Sequence, residues 1–174
     1  MDDPFSPTGV EAPPEVEIVV SDEQASPDVD ADRWAALAAA VLRAEGRGGE
    51  LTLTFVDRDE IAELNAEHMG QRGPTDVLSF PLDDDPAAIG AGPVLLGDVV
   101  ICPDVAREAA PDHAGTLDDE LALLTVHGVL HILGFDHADP AERTEMRARE
   151  RSLLEQHHWR GPAPVAFRHE QADA

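Results

Sequence analysis

The sequence predicts an α+β domain, a single unit in which a small mixed β-sheet is covered by helices. Three observations point there. A chain of 174 residues with 43% hydrophobic content can bury one ordinary core. Apolar periodicity alternates between strand and helix in the order β-α-β-α-β-β-α, followed by two further helices. The strands are too few and too unevenly spaced for a regular doubly wound sheet, and no internal repeat is visible.

Residues 1–14 are rich in Pro, Asp, Glu, Ser and Gly without periodicity, and residues 159–174 resemble them. Both ends are therefore expected to be poorly ordered tails around a folded part at 15–158. Val16-Glu17-Ile18-Val19-Val20 reads as a first strand, and Asp30 to Ala44 sets Trp34, Leu37, Ala38, Val41 and Leu42 at helical spacing. Leu51 to Val56 alternates Leu51, Leu53 and Phe55 against Thr52 and Thr54, the period of a strand with one face buried.

Asp57, followed three residues later by Glu60, has the form of a capping box, and the short helix it starts is expected to stop near Gly70. Gly73-Pro74-Thr75-Asp76 is turn chemistry ahead of a short apolar segment, Val77 to Phe80. Pro81 to Pro93 reads as a loop, and Val94 to Ile101 as a strand broken by Gly97-Asp98. Pro103 suits the first turn of a short helix that ends before Pro111. Leu117 to Leu133 is the most apolar helix, with Asp118, Asp119 and Glu120 in its first turn and Gly134 as its stop. A last helix runs from about Pro140 to His157.

Composition narrows the function. No apolar run reaches the roughly 18 residues of a membrane span, and the start Met1-Asp2-Asp3-Pro4 is acidic where a secretory signal is basic, so a cytoplasmic protein without a membrane partner is expected. Cys102 is the only cysteine, expected as a buried thiol, so a metal site has to be built from His, Asp or Glu. The formal charge is -24, and all 12 basic residues are arginine. A polyanion would meet a repulsive field, so its contact needs a local arginine cluster, a metal, or a surface lent by a partner.

The strongest chemical signal is His127-Gly128-Val129-Leu130-His131-Ile132-Leu133-Gly134-Phe135-Asp136-His137. His127 and His131, four apart, share one helix face a turn from each other, the spacing that two zinc ligands need. Gly134 permits a left-handed residue that turns the chain back, so His137 can close on the same ion. Three protein ligands leave a fourth position open, the mark of a catalytic rather than a structural zinc, and one Zn2+ per chain is expected. The spacing also matches the metzincin proteases, but Gly128 stands where their general-base Glu follows the first His. The zinc geometry is kept without the peptidase base.

At every fixed position this segment resembles the YbeY signature His-Gly-x-Leu-His-x-x-Gly-x-Asp-His. Glu63-Leu64-Asn65, Pro74 to Pro81 and Leu96 to Ile101 are similar to further blocks of that family, and the resemblance spans about residues 50–155. It implies a single-domain, zinc-dependent endoribonuclease that cleaves single-stranded RNA, matures the 3' end of small-subunit ribosomal RNA and serves ribosome quality control. The implied partners are a ribosomal RNA precursor and the small ribosomal subunit or its assembly factors; DNA is not expected. Two other readings stay open, a metal-dependent hydrolase of another bond and a non-catalytic assembly factor stabilised by zinc.

One departure from the family pattern stands out. Many members carry an arginine shortly after Leu-Asn that is thought to support catalysis, and here Met69 takes that place. Arg72, three residues on, is the candidate catalytic cation in its stead. Arg143, Arg147 and Arg151 form a stripe on the last helix, but Glu142, Glu145, Glu150 and Glu155 interleave with it, which favours a salt-bridged surface over an RNA track. Asp76 and Asp98 are the remaining polar residues of interest, each in a position where it could simply cap a turn.

Overall fold

A computed structural model describes residues 15–82 and 94–169. The expected tails at 1–14 and 170–174, and loop residues 83–93, lie outside the described residues. Strand β1 (Val16–Asp22) leads to helix α1 (Ala31–Ala44), strand β2 (Gly49–Phe55) and helix α2 (Arg58–Leu64), which widens into a π-helical turn at Asn65–Met69. Strand β3 (Val77–Pro81), strand β4 (Leu95–Ile101) and helix α3 (Pro103–Ala109) follow, and a 3-10 turn at Ala110–Asp112 leads to helices α4 (Leu117–Ile132) and α5 (Pro140–His157). The expected α+β class is the observed one.

The sheet order is β1-β2-β4-β3. β1, β2 and β4 run parallel, and β3 pairs antiparallel with β4. β4 is not broken at Gly97-Asp98. Leu96 is an extra residue in the pairing with β2, where Glu50 faces Leu95 and Leu51 faces Gly97, so the strand bulges and continues. Gly97 sits at φ 151° with β3 close against it: a Cβ there would lie 2.5 Å from the Phe80 carbonyl oxygen.

The core lies between the sheet and α1, α4 and α5, around Trp34, Leu42, Leu53, Phe55, Val99, Leu130 and Leu153. α4 is apolar over most of its length and is buried almost all round, because it packs on β3, β4, α1, α3 and α5 at once. It meets the sheet at Gly128, whose carbonyl accepts a hydrogen bond from Ser79 Oγ at 3.2 Å. Cys102 is a buried free thiol whose pKa burial pushes up.

The segment 159–169 packs against the folded part. Trp159 Nε1 donates to Asp119 Oδ1 (2.8 Å), Phe167 is buried with its ring 4.8 Å from that of Trp159, and Arg168 N donates to the His113 carbonyl (2.7 Å). Its Pro-, Gly- and Ala-rich composition hides two aromatic anchors, and these fix the segment against the core.

Candidate metal centre

α4 presents the first two histidines because both of its ends are well made. Thr116 caps the start, its hydroxyl accepting from Asp119 N at 3.1 Å. At the far end Leu133 is the C-cap, Gly134 takes φ 102°, Phe135 N donates to the Leu130 carbonyl and Gly134 N to the His131 carbonyl, both at 3.0 Å. These two crossed bonds form a Schellman motif, which requires the left-handed residue at Gly134. The chain therefore doubles back, and Asp136 Oδ1 accepts from His137 N at 2.7 Å.

As a result the three predicted histidines meet. One ring nitrogen from each of His127, His131 and His137 lies within 4.8 Å of the others. Burial, and then the nearby His127 and His137 rings, push the His131 pKa down to about 4, so it stays neutral with a lone pair to give. His127 Nδ1 donates to Glu150 Oε2 at 2.8 Å, which leaves its Nε2 as the free donor atom. Lone pairs converging from an all-nitrogen set fit a divalent transition metal.

His127 and His137 border a cavity of ≈ 320 Å³. Asp76, Arg143, Arg147 and Glu150 give it polar walls, and Val77, Leu123, Leu124 and Met146 give it an apolar one. Asp76 thus does more than close a turn, and its carboxyl is raised by burial and by the nearby Glu120, against the pull of His127. Asp98 is exposed on β4 and does not line the cavity. Arg72 is likewise exposed, in the loop ahead of β3, and is not among the lining residues.

The arginine stripe divides. Arg151 pairs with Glu155 on the exposed face at 2.9 Å, as a salt-bridged surface requires, while Arg143 and Arg147 turn toward the cavity. Glu150, read from sequence as one of the interleaved surface acids, is buried. Burial raises its carboxyl, but hydrogen bonds from His127 and His169 more than reverse this and bring it to about 2. The missed signal was the spacing: Met146, Glu150, Leu153 and Leu154 form the buried face of α5, so a charge at 150 needed a buried partner. His113 and Glu120 were missed too, and they pair in the interior at 2.8 Å.

With this geometry in view, the likeness to known proteins is informative. Residues 19–158 match the sequence model of the family described as Endoribonuclease YbeY. The chain belongs to the YbeY family. Endoribonuclease YbeY of Salinispora tropica is 49% identical over 137 residues, 73% of this chain and 87% of that protein. Endoribonuclease YbeY of Mycolicibacterium vanbaalenii is 50% identical over 112 residues, and the match covers 62% of this chain and 61% of the relative. The solution structure of TM1509 from Thermotoga maritima shares the fold, with a TM-score of 0.56 and 27% identity over 82% of this chain and 91% of that one. The YbeY match ends at residue 158, so the packed segment 159–169 lies beyond it.

Proposed function

We propose that this chain is a zinc-dependent endoribonuclease that cuts single-stranded RNA and acts in the cytoplasm in the maturation of small-subunit ribosomal RNA. The observation that carries this reading is the meeting of three imidazoles, two of which, His127 and His137, share a cavity with Arg143 and Arg147, in a chain whose family is named for RNA cleavage. His127, His131 and His137 would hold one zinc per chain, and an imidazole set without thiolates leaves the ion a strong Lewis acid. When bound, zinc polarises a phosphoryl oxygen and makes the attacking water or ribose hydroxyl more acidic.

The remaining tasks fall to side chains of the chain itself. Arg143 and Arg147 bind the phosphodiester and stabilise the charge that grows on it in the transition state. We assign them the role that the sequence suggests for Arg72, because they line the cavity and Arg72 does not. Glu150 orients His127 by accepting its Nδ1 proton. Asp76, raised by burial, is the cavity group suited to take a proton and return it.

A formal charge of -24 opposes RNA, so the small ribosomal subunit or an assembly factor is proposed to deliver the strand. The test is digestion of one RNA as single strand and as duplex, and of casein, by the zinc-loaded parent and by His131→Ala. The reading requires cleavage of the single strand by the parent alone. An uncut single strand would overturn it, and casein digestion dependent on His131 would move the chain to amide hydrolysis.

A further inference from the structure

We propose that the segment 159–169 is a strap belonging to the metal site, in which His169 is a positioning residue that holds Glu150 so that Glu150 can hold His127. The inference rests on the reading of His127, His131 and His137 as metal ligands. It concerns a stretch of chain that lies past the end of the family match at residue 158.

The geometry forms a continuous chain of hydrogen bonds. His127 Nδ1 donates to Glu150 Oε2 (2.8 Å), and His169 Nε2 donates to Glu150 Oε1 (3.0 Å). Each carboxylate oxygen thus has its own imidazole. The Glu150 side chain is 4% exposed, so either oxygen left alone would be a buried acceptor of a negative charge with no partner. The carboxylate would then turn toward water or take a proton, and in both cases His127 loses the acceptor that fixes its tautomer and ring plane.

His169 is itself anchored from a third element. Its carbonyl accepts from His113 Nε2 at 2.9 Å, while Arg168 N donates to the His113 carbonyl at 2.7 Å, so the strap and the turn ahead of α4 exchange a pair of bonds. His113 Nδ1 faces the Glu120 carboxylate at 2.8 Å, which ties that turn to α4, the helix that carries His127 and His131. Phe167 in the core and Trp159 on Asp119 hold the strap on either side of its turn. The strap therefore joins the supports of α4 and α5 at the point where the first metal ligand needs both.

The test uses the full chain and its His169→Ala and His169→Gln variants. Zinc affinity is measured by competition with a chromophoric chelator, and the His127 tautomer by nitrogen-15 imidazole spectra of the metal-free protein. His169→Ala should weaken zinc binding by about 10- to 100-fold, the range for loss of an outer-shell partner. It should also turn a single His127 tautomer, with its proton on Nδ1, into a mixture. His169→Gln, whose amide can still donate to Glu150, should recover most of both. Zinc affinity within twofold of the parent in His169→Ala, or equal losses in His169→Ala and His169→Gln, would overturn the positioning role. If the parent binds no zinc, the ligand assignment fails, and the tautomer spectra still decide whether His169 positions His127. Thermal melts of the metal-free variants separate this from a folding defect: a large fall in melting temperature with unchanged zinc affinity and tautomer means that the strap serves stability alone.

Discussion

Gly128 lies directly on Val99: a Cβ at residue 128 would stand 2.6 Å from Val99 Cγ1, well inside van der Waals contact. Val99 is fully buried and β-branched, so it has little freedom to move aside. The contact explains in steric terms why the residue after His127 carries no side chain, and so why no general base follows it. α4, which carries His127 and His131, rests on β4 at this point.

Gly128→Ala is therefore expected to destabilise the protein. Helix propensity alone would favour Ala by about 1 kcal/mol, but overpacking costs about 1–3 kcal/mol, and the clash should win. Denaturant midpoints would measure it, and Val99→Ala in the same chain should make room and turn Gly128→Ala neutral or favourable. Equal effects of Gly128→Ala in both backgrounds would show that the two residues do not compete for space.

The buried His113–Glu120 pair gives the metal-free chain a stability that depends on pH. Both His113 nitrogens face acceptors, and the hydrogen bond His113 donates to Glu120, reinforced by the His169 carbonyl and opposed by burial, raises its pKa above 6.5. A raised base stabilises fully below its unfolded pKa, so this contribution is whole below about pH 6.5 and is lost as pH rises through the folded value. His131 has the opposite sign. It is neutral in the fold down to about pH 4, whereas the unfolded chain binds a proton near 6.5, so stability falls as pH drops from about 6.5 to 4. Melting temperatures of His113→Gln should lose the decline on the alkaline side, and those of His131→Asn the decline on the acid side. A parent whose stability climbs steadily above pH 6.5 relative to His113→Gln would contradict the first assignment.

The cavity arginines should separate from their neighbours in a cleavage assay. Arg143→Ala and Arg147→Ala are each expected to slow cleavage of single-stranded RNA by about 10²-fold, the scale of one lost transition-state donor. Arg151→Ala, which breaks only an exposed pair with Glu155, and Arg72→Ala should change it less than twofold, within about 0.4 kcal/mol. An Arg72→Ala variant slowed as much as Arg143→Ala would return the role to the loop.

Salt tests the same point from the binding side. Two arginines neutralise few phosphates, so the logarithm of RNA affinity should fall with the logarithm of salt at a slope of about -1.4. A slope steeper than about -4 would mean an extensive basic track elsewhere on the surface.

The parts of this architecture that were legible in the sequence are those dictated by local rules. Gly134 announced the helix stop and the return of His137, and alternation in β2 and the 3.6-residue period in α1 placed those elements to within a few residues. Sheet order depends on long-range pairing, which no local pattern encodes, and the bulge at Leu96 looked like a break because Gly97 interrupts the alternation. The supports of the site were hidden for a related reason. Glu150 and Glu120 are charged residues at helical positions where charge is normally solvated, and only the tertiary partners His127, His169 and His113 reveal why they are buried. Arg143 and Arg147 stand on a helix interleaved with glutamates, but they share a cavity with His127 and His137.

The central claim is that one metal at His127, His131 and His137 drives RNA cleavage, and a titration tests it most directly. Zinc is added to the metal-free chain while the initial rate of cleavage of a single-stranded RNA is followed. The account predicts a rate that rises in proportion to zinc and levels off at one equivalent per chain, with no rise for His131→Ala. Full cleavage by the metal-free chain, or the same zinc response in His131→Ala, would contradict it.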